Sequence, residues 1–514
     1  MQAGSNKTIA QNTIFLYIRM MVTMIISLYT SRVILQVLGV DDFGIYQAVG
    51  GIVGIMSFLN SAFASGSSRF LTYTMGEGNL LKLKVTFSTT LFIHICIGLL
   101  VVVVAECVGP WFLENKMVIS TDRFYAAKCV FHISVFTAFV NITQVPYNAS
   151  IMAHEKMSIY AYVSIIETAL KLAICYMLYI GSADKLILYA GLLCAVHVGV
   201  LLFYRCYCHR NFEETKVEFT FDKSLLKQIG AFSGWSFVAS ASIALNSQGI
   251  LLLLNMFFSP AVVAARAISL QVFNAANQFV NSFRAAANPQ ITKRYAAGDK
   301  EGSKKLLLQS TMISYYLMLM MALPIIFVTE PLLKLWLGVV PEYSTIFLQL
   351  IVIQSLCQVF DTSFYQGLFA RGRIKENALL SPTLGLIRFP ITYVLFKLGF
   401  SPIALSWLSI LNYAILGFVI KPILLIKICE YTLKDILTVF IPCLRVTVLA
   451  TLPVITFMLL CEEKSVVLSD VKCLLFFSSI SVISVGCSVW FWGVKKDMRN
   501  SLLRMVFKRI RKEG

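Results

Sequence analysis

The sequence has few charged residues, and few of those are acidic. Asp, Glu, Lys and Arg make up 14% of the 514 residues, and only 26 acidic side chains accompany 44 basic ones. Soluble domains average about 25% charged residues. Together with a hydrophobic content of 58%, this shortage excludes an ordinary soluble globular protein and indicates an all-α, polytopic membrane protein.

The motifs of common catalytic and metal sites are also missing. There is no GxxxxGK[ST] nucleotide-binding loop, no GxSxG nucleophile turn and no HExxH pair. The thirteen cysteines are scattered, only Cys206 and Cys208 forming a CxC pair, and His94, His132 and His197 stand alone in apolar segments. We therefore expect no catalytic residue, no bound metal and no cofactor, which favours a transporter over an enzyme.

Apolar segments recur along the whole chain. About 20 helical residues cross ~30 Å of hydrocarbon, and fourteen segments reach this length. The predicted spans are 14–38, 45–67, 86–108, 124–146, 158–180, 186–206, 231–258, 262–287, 306–329, 344–369, 378–399, 402–426, 439–461 and 471–492.

Basic residues outside these spans are concentrated on one side of the membrane. If the N-terminus is cytoplasmic, most Lys and Arg residues fall in cytoplasmic connections, whereas the opposite loops are short and often acidic. The positive-inside rule then predicts that both termini are cytoplasmic. Because the cations are spread over many loops, we do not expect nucleic-acid binding. The basic, amphipathic tail 495–514 is expected to lie on anionic membrane lipids.

An internal repeat relates the two halves of the chain. Phe58-Leu59-Asn60-Ser61 in span 2 resembles Phe279-Val280-Asn281-Ser282 in span 8, and Tyr73, Gly76 and Glu77 correspond to Tyr295, Gly298 and Asp299. Six spans per half give a parallel repeat with a pseudo-two-fold axis along the membrane normal. The predicted organisation is an N-lobe at 1–206, a cytoplasmic linker at 207–229, a C-lobe at 230–428, two extra helices at 429–494 and the tail.

Two glycines one turn apart in span 2 suggest close helix packing. Gly50 and Gly54 form a GxxxG pattern, which lets neighbouring helices approach closely in membranes. We interpret both glycines as packing residues.

Seven of the basic side chains within the predicted spans are singled out as candidates for buried cations. An ionised group at membrane depth costs at least ~2.5–3.5 kcal/mol and usually faces a partner or a wet cavity. Only Glu167 and Asp361 are comparably deep acids, so the excess of cations predicts a cavity for an anion. The seven are Arg19, Arg32, Lys171, Arg266, Arg284, Arg388 and Arg445.

Span 8 has the strongest pattern among these segments. At ~100° per residue its strongly polar side chains fall on one arc of roughly 140°, with Arg266 and Arg284 separated by about 27 Å along the axis. This pattern predicts a helix that lines a polar lumen, where the candidate substrate-binding residues are Arg266, Arg284, Asn274, Asn277 and Asn281. The alternative is that the two arginines extend to opposite membrane interfaces.

The remaining charged residues divide into cavity candidates and ion-pair candidates. Arg19 shares an arc with the hydroxyls of span 1, and Arg32 is either a substrate contact or an interfacial residue. Glu167 and Lys171, four residues apart, form either a neutral pair or a coupling switch for protons or cations. The other expectations are a pair between Asp361 and Arg388 and an interfacial position for Arg445.

Three stretches carry a resemblance to a known family. They are Ser31 to Tyr46 (SRVILQVLGVDDFGIY), Ser68-Arg69-Phe70-Leu71 and Asn288-Pro289-Gln290-Ile291-Thr292-Lys293. The chain resembles the polysaccharide transporter, or O-antigen flippase, family of the multidrug/oligosaccharidyl-lipid/polysaccharide exporter superfamily. The resemblance implies a MATE-like fold and the flipping of a polyprenyl-diphosphate-linked oligosaccharide to the periplasmic leaflet of a bacterial inner membrane.

The resemblance also implies partners and residue roles. Related lipid II flippases use arginines in a central cavity, and Arg19 looks like such a position. A polysaccharide polymerase and glycosyltransferases would be functional partners, and we expect a monomer. Arginine suits this substrate because its guanidinium binds phosphate through two parallel hydrogen bonds.

Two other functions remain open at this point. The first is a cation-coupled multidrug antiporter of the same superfamily, which would need membrane carboxylates such as Glu167 or Asp361 for a cationic drug. The second is a glycan ligase or polymerase, which the short outer loops disfavour.

Overall fold

The computed structural model describes residues 2–154, 156–180, 183–216, 222–372, 375–463, 469–494 and 499. Within these ranges the regular secondary structure is entirely helical. The first helices are α1 (Gln2–Leu38), α2 (Val40–Ile55), α3 (Ser57–Gly76), α4 (Leu80–Lys116), α5 (Phe124–Ala153), α6 (Met157–Met177), α7 (Lys185–Asn211), α8 (Lys223–Ala244) and α9 (Ile250–Phe257). The rest are α10 (Pro260–Ala296), α11 (Lys300–Phe327), α12 (Thr329–Leu337), α13 (Ser344–Ala370), α14 (Lys375–Lys397), α15 (Ala404–Ala414), α16 (Lys421–Cys429), α17 (Leu433–Glu463) and α18 (Asp470–Ser488).

Each of the fourteen predicted spans coincides with a helix or with consecutive helices. By length and hydropathy, eleven of the described helices can cross a membrane, or twelve when the bent pair of α2 and α3 counts as one span. The two predicted spans outside this set are helices α10 and α14, of which α10 is long enough but more polar. The chain is therefore a multi-pass membrane protein, and the number fourteen stays a prediction.

An arginine clamp formed by Arg123 shows in which direction the pair α2–α3 runs through the bundle. The Arg123 guanidinium before α5 donates to Asp42 at 2.8 and 2.5 Å and to Asp184 at 2.6 Å. Asp42 lies in the first turn of α2, and Asp184 precedes α7, so the clamp joins the N-terminal ends of α2, α5 and α7 at one end of the bundle. Helix α4 runs from Asn79 back to that end, so the bent pair α2–α3 runs from one end of the bundle to the other. This course favours the single span predicted for 45–67, which stays a prediction.

We expect replacement of Arg123 to lower stability in a pH-dependent manner. Partial burial raises the pKa of Asp184, but hydrogen bonds from Arg123 and from two backbone amides outweigh it and hold that pKa below its ordinary value of 3.8. The contribution of Asp184 to stability is therefore complete above about pH 4 and is lost as pH falls through the folded-state pKa of Asp184. Arg123→Ala should cost about 1–3 kcal/mol at neutral pH, measured by thermal unfolding in detergent.

The lysine variant of the same residue is the control. Arg123→Lys keeps the positive charge but cannot bind both carboxylates with a planar fork, so it should recover only part of the loss. An Arg123→Ala deficit of the same size at pH 3 and pH 7 would contradict the assignment.

The chain divides into two compact units. The first comprises Met1–Ala267 and Pro382–Pro402, and the second comprises Ile268–Ser381 and Ile403–Gly514. Helices α8 and α9, which the sequence analysis placed in the C-lobe, pack with the first unit. The predicted lobe boundary at 207–229 therefore stays a prediction, and the tail 495–514 lies outside the described residues except for Arg499.

The first unit contains several apolar cores. Buried side chains of α2, α4, α5 and α7 form one, with Phe131 fully enclosed. Another lies around Phe87, Tyr147 and Tyr204. After α7 a short 3₁₀ turn, Glu213–Thr215, docks on this unit, because the buried Glu214 carboxylate lies 2.7 Å from His154 Nε2. The predicted linker thus starts within the last residues of α7 and continues into a turn that is fixed to the N-terminal helices.

The second unit has one large core that includes the two extra helices. Ser484 in α18 donates to the Ala450 carbonyl in α17 at 2.8 Å, and Tyr316 in α11 donates to the Gly493 carbonyl at 3.2 Å. At the centre, the Phe360 ring contacts Tyr315 and Phe440 at centroid distances of 5.0 and 5.1 Å. These aromatic contacts hold α13 against α11 and α17.

The same turn recurs at the equivalent point of each half. Gly78 and Gly298 have φ values of 71° and 84°, in the left-handed region where glycine is favoured. The next residue in each case caps the following helix, since Asn79 accepts from Lys82 N at 3.1 Å and Asp299 accepts from Gly302 N at 2.8 Å. Gly78-Asn79, rather than the predicted Gly76-Glu77, is therefore the structural counterpart of Gly298-Asp299.

Candidate functional site

Helix α10 carries the predicted polar arc, but the structure divides that arc in two. Asn274 and Asn281 are exposed, and Asn277 is half-buried and donates to the Phe273 carbonyl at 3.0 Å. Arg266 and Arg284 are buried, with 4% and 8% exposure. The amides therefore lie on an accessible face, whereas the arginines point into the protein. This burial argues against the alternative that they extend to the two membrane interfaces.

Arg284 is held by side chains of its own unit. Its guanidinium donates to the Thr362 hydroxyl on α13 and to the Asn281 amide oxygen on α10. One turn further, Gln366 donates to the Thr292 hydroxyl at 3.0 Å and to the Asn288 carbonyl at 3.2 Å. These contacts join the C-terminal part of α10 to α13 and fix the guanidinium in one position.

A second buried cation, absent from the sequence analysis, completes the cluster. Lys421, at 2% exposure, places Nζ 3.1 Å from Asp361 Oδ1 and 3.1 Å from Ser381 Oγ. Its ammonium also lies 5.4 Å from the centre of the Tyr365 ring. Asp361 interacts electrostatically with Arg284 as well. We call Arg284, Asp361 and Lys421 the charge cluster, which contains two cations and one carboxylate and so carries a net charge of +1.

A π-helical turn explains how Lys421 reaches this position. Residues Ile415–Ile420 form the turn, and α16 begins at Lys421. The extra residue of such a turn rotates the residues after it by about 100° relative to a regular helix. Gly417 allows the turn to pack on α13, because a Cβ there would lie 2.8 Å from the Cys357 carbonyl oxygen. A regular helical projection therefore misplaces Lys421.

The predicted partner of Asp361 was Arg388. The structure pairs Asp361 with Lys421, while Arg388 is buried at 6% exposure in the segment that belongs to the first unit. A pair between Asp361 and Arg388 therefore stays a prediction. Lys421 lies five residues before the predicted end of its span at 426. Lysines near the end of a span are expected to extend to the membrane–water interface, so the sequence gives no reason to place this one in a buried cluster.

The first unit contains a separate ionisable group. Lys171 Nζ lies 2.7 Å from Glu167 Oε1 within α6, and His197 Nδ1 on α7 is 4.0 Å from the same oxygen. The predicted i, i+4 pair is thus present, and a histidine that the sequence analysis read as a lone core residue lies beside it.

The other predicted cations occupy different environments. Arg32 is half-buried and Arg445 is exposed. Arg19 lies in α1, but its side chain is outside the described residues. The predicted role of Arg19 in a substrate cavity therefore stays a prediction.

Sequence and structure comparisons identify related proteins. The family model MatE matches residues 236–394, less than a third of the chain. Among curated protein sequences, none matches. The fold is similar to that of the lipid II flippase MurJ in an inward closed conformation, with a TM-score of 0.67 and 11% identity over 93% of this chain and 98% of that one.

Transporters of the MATE type share the fold as well. An inward-facing multidrug resistance MATE family transporter of the MOP superfamily matches with a TM-score of 0.67 and 13% identity, over 82% of this chain and 99% of that one. A MOP superfamily transporter from Pyrococcus furiosus gives a TM-score of 0.57 and 14% identity, over 82% and 96%. The chain thus has the fold shared by the MurJ and MATE transporters.

Proposed function

We propose that this chain is a MOP-superfamily transporter that flips a polyprenyl-diphosphate-linked oligosaccharide from the cytoplasmic to the periplasmic leaflet of a bacterial inner membrane by alternating access. The observation that carries the proposal is the charge cluster. A buried group with a net charge of +1 favours an anionic ligand, and the Arg284 fork suits a diphosphate. Arg266 is a further buried cation on the same helix.

The extent of the structural matches also supports a lipid flippase. The MurJ structure covers 93% of this chain, whereas the MATE structures named above cover 82%. The exposed amides Asn274 and Asn281 on α10 are suited to sugar hydroxyls. In this proposal both termini are cytoplasmic, the protein acts as a monomer, and glycosyltransferases and a polymerase supply and consume the lipid.

A cation-coupled multidrug antiporter is the second candidate. The observation that favours it is Glu167, a carboxylate half-buried between α6 and α7 beside His197. Its neutralisation by Lys171 at 2.7 Å makes it a poor site for a cationic drug, so we place this function second.

Reconstitution into vesicles tests the proposal. Purified protein should translocate a fluorescent undecaprenyl-diphosphate-linked oligosaccharide, measured by loss of fluorescence after addition of a membrane-impermeant quencher. We expect no uptake of the cationic dye rhodamine 6G in the same vesicles. Dye transport without lipid flipping, abolished by Glu167→Gln, would favour the antiporter instead.

A further inference from the structure

The first unit contains a cavity that the proposed function does not use. Its volume is about 300 Å³, and its walls come from α2, α3, α4, α5 and α7. This volume is at the lower end of the ~300–1,000 Å³ typical of small-molecule sites. The cavity is therefore large enough for one small ligand but too small for an oligosaccharide.

The polar side chains that the structure places on the cavity wall are hydroxyls, amides and one imidazole. They are Tyr46, Asn60, Ser134, Thr137, Asn141 and His197. None of the residues that the structure places on the wall is Asp, Glu, Lys or Arg. Amides and hydroxyls both donate and accept hydrogen bonds, which matches a ligand that carries several hydroxyl groups.

The wall chemistry disfavours the two other ligand classes. A diphosphate needs cations, and the wall has none of the lysine or arginine side chains that would bind it. A cationic drug needs a carboxylate, but Glu167 is 4.0 Å from His197 and is already paired with Lys171. A neutral sugar remains as the class that fits.

One acceptor on the wall has no hydrogen-bond partner among the described residues. Asn60 Oδ1 is buried and makes no hydrogen bond to the described residues. Buried polar atoms are nearly always satisfied by protein, water or ligand. A sugar hydroxyl would satisfy this oxygen, and the Tyr46 ring, held edge-on against Tyr189 at 5.0 Å, provides a rigid surface on another part of the wall.

Gly50 leaves the cavity open. The sequence analysis interpreted Gly50 and Gly54 as packing residues, and this is correct for Gly54, where a Cβ would lie 3.0 Å from the Gln248 side chain. A Cβ on Gly50 would meet no atom within 4 Å, and Gly50 lines the cavity. The packing interpretation is wrong for Gly50, which contributes empty space instead.

We propose that this cavity binds one neutral sugar residue of the transported lipid-linked oligosaccharide. The proposal rests on the flippase function and assigns a sugar-binding role to the first unit alone. It assigns selectivity for that sugar to residues of α2, α3, α5 and α7.

Two matched glycine substitutions test the site by ligand binding. Gly50→Leu fills the cavity without a backbone clash. Gly191→Leu, on α7, also meets no atom within 4 Å but lies off the cavity wall. The detergent-solubilised proteins are heated with glucose, galactose, mannose, rhamnose or N-acetylglucosamine. At least one sugar should raise the unfolding temperature of the wild type and of Gly191→Leu, but not that of Gly50→Leu.

The vesicle assay separates this proposal from the flippase function. Gly50→Leu should flip the oligosaccharide-linked lipid about tenfold more slowly but move undecaprenyl diphosphate without sugar at the wild-type rate. If the wild type flips neither lipid, the function fails while the sugar-binding result still decides the site. In the thermal assay, the site is refuted if no sugar stabilises the wild type, if a sugar raises the unfolding temperature of Gly50→Leu as much as that of the wild type, or if only rhodamine 6G binds. In the vesicle assay, it is refuted if Gly50→Leu slows the flipping of both lipids equally.

Discussion

Substitution of Arg284 by glutamine is expected to slow the flipping of a diphosphate-linked lipid by at least about 100-fold, because the two charge-assisted hydrogen bonds that it would lose to phosphate oxygens are together worth ~3–6 kcal/mol, at ~1.4 kcal/mol for each factor of ten. The side chain is buried and fixed between Asn281 and Thr362. Its guanidinium is therefore already oriented when the ligand arrives. The measurement is the initial flipping rate in vesicles that contain equal amounts of protein.

Three further variants separate binding from structure. Arg284→Lys keeps the charge but loses the planar fork, so it should recover only part of the rate. Thr362→Val removes one tether and should have a smaller effect than Arg284→Gln. Arg445→Gln, the same change at an exposed arginine, should leave the rate unchanged. A normal rate in a folded Arg284→Gln protein would disprove the assignment of the diphosphate to the charge cluster.

The helices were predictable from the sequence because their cause is local. A long apolar segment in a membrane must satisfy its own backbone hydrogen bonds, and a helix does so. All fourteen predicted segments are accordingly helical. They include α10, although its polar residues lower its mean hydropathy below that of the other spans. The bend between α2 and α3 was not predictable, since no proline lies near Met56.

The electrostatic partners were less predictable because they depend on contacts between distant residues. Spacing alone identifies Glu167 and Lys171, which are four residues apart on one helix. Arg123 joins Asp42 and Asp184 across separate loops, and the sequence contains no local signal for this clamp. Lys421 is turned towards Asp361 by a π-helical turn, and a regular 3.6-residue period cannot describe that turn.

The glycines illustrate the same limit. Gly50 and Gly54 are equivalent in a GxxxG pattern and both line the cavity, yet only Gly54 also packs against the Gln248 side chain. The pattern records small size at both positions. Only the positions of neighbouring helices decide whether small size permits contact or leaves space.

We expect the loss of Asp361 and the loss of Lys421 from the charge cluster to lower the stability of the protein by different amounts. Asp361→Asn leaves Lys421 and Arg284 as two buried cations without a carboxylate, whereas Lys421→Met leaves Asp361 facing Arg284 with no net charge. Breaking a buried ion pair usually costs ~3–5 kcal/mol, and we expect Asp361→Asn to reach this range and Lys421→Met to cost less. Thermal unfolding in detergent measures both.

The double variant then distinguishes a structural pair from a coupling pair. Asp361→Asn with Lys421→Met removes both charges of the pair, so its stability should exceed that of Asp361→Asn alone. If the pair couples transport to a proton or sodium gradient, the double variant should flip lipid at a basal rate that an imposed gradient no longer increases. A gradient response equal to that of the wild type would show that the pair only stabilises the second unit. The coupling group would then have to be sought at Glu167, where Glu167→Gln provides the corresponding test.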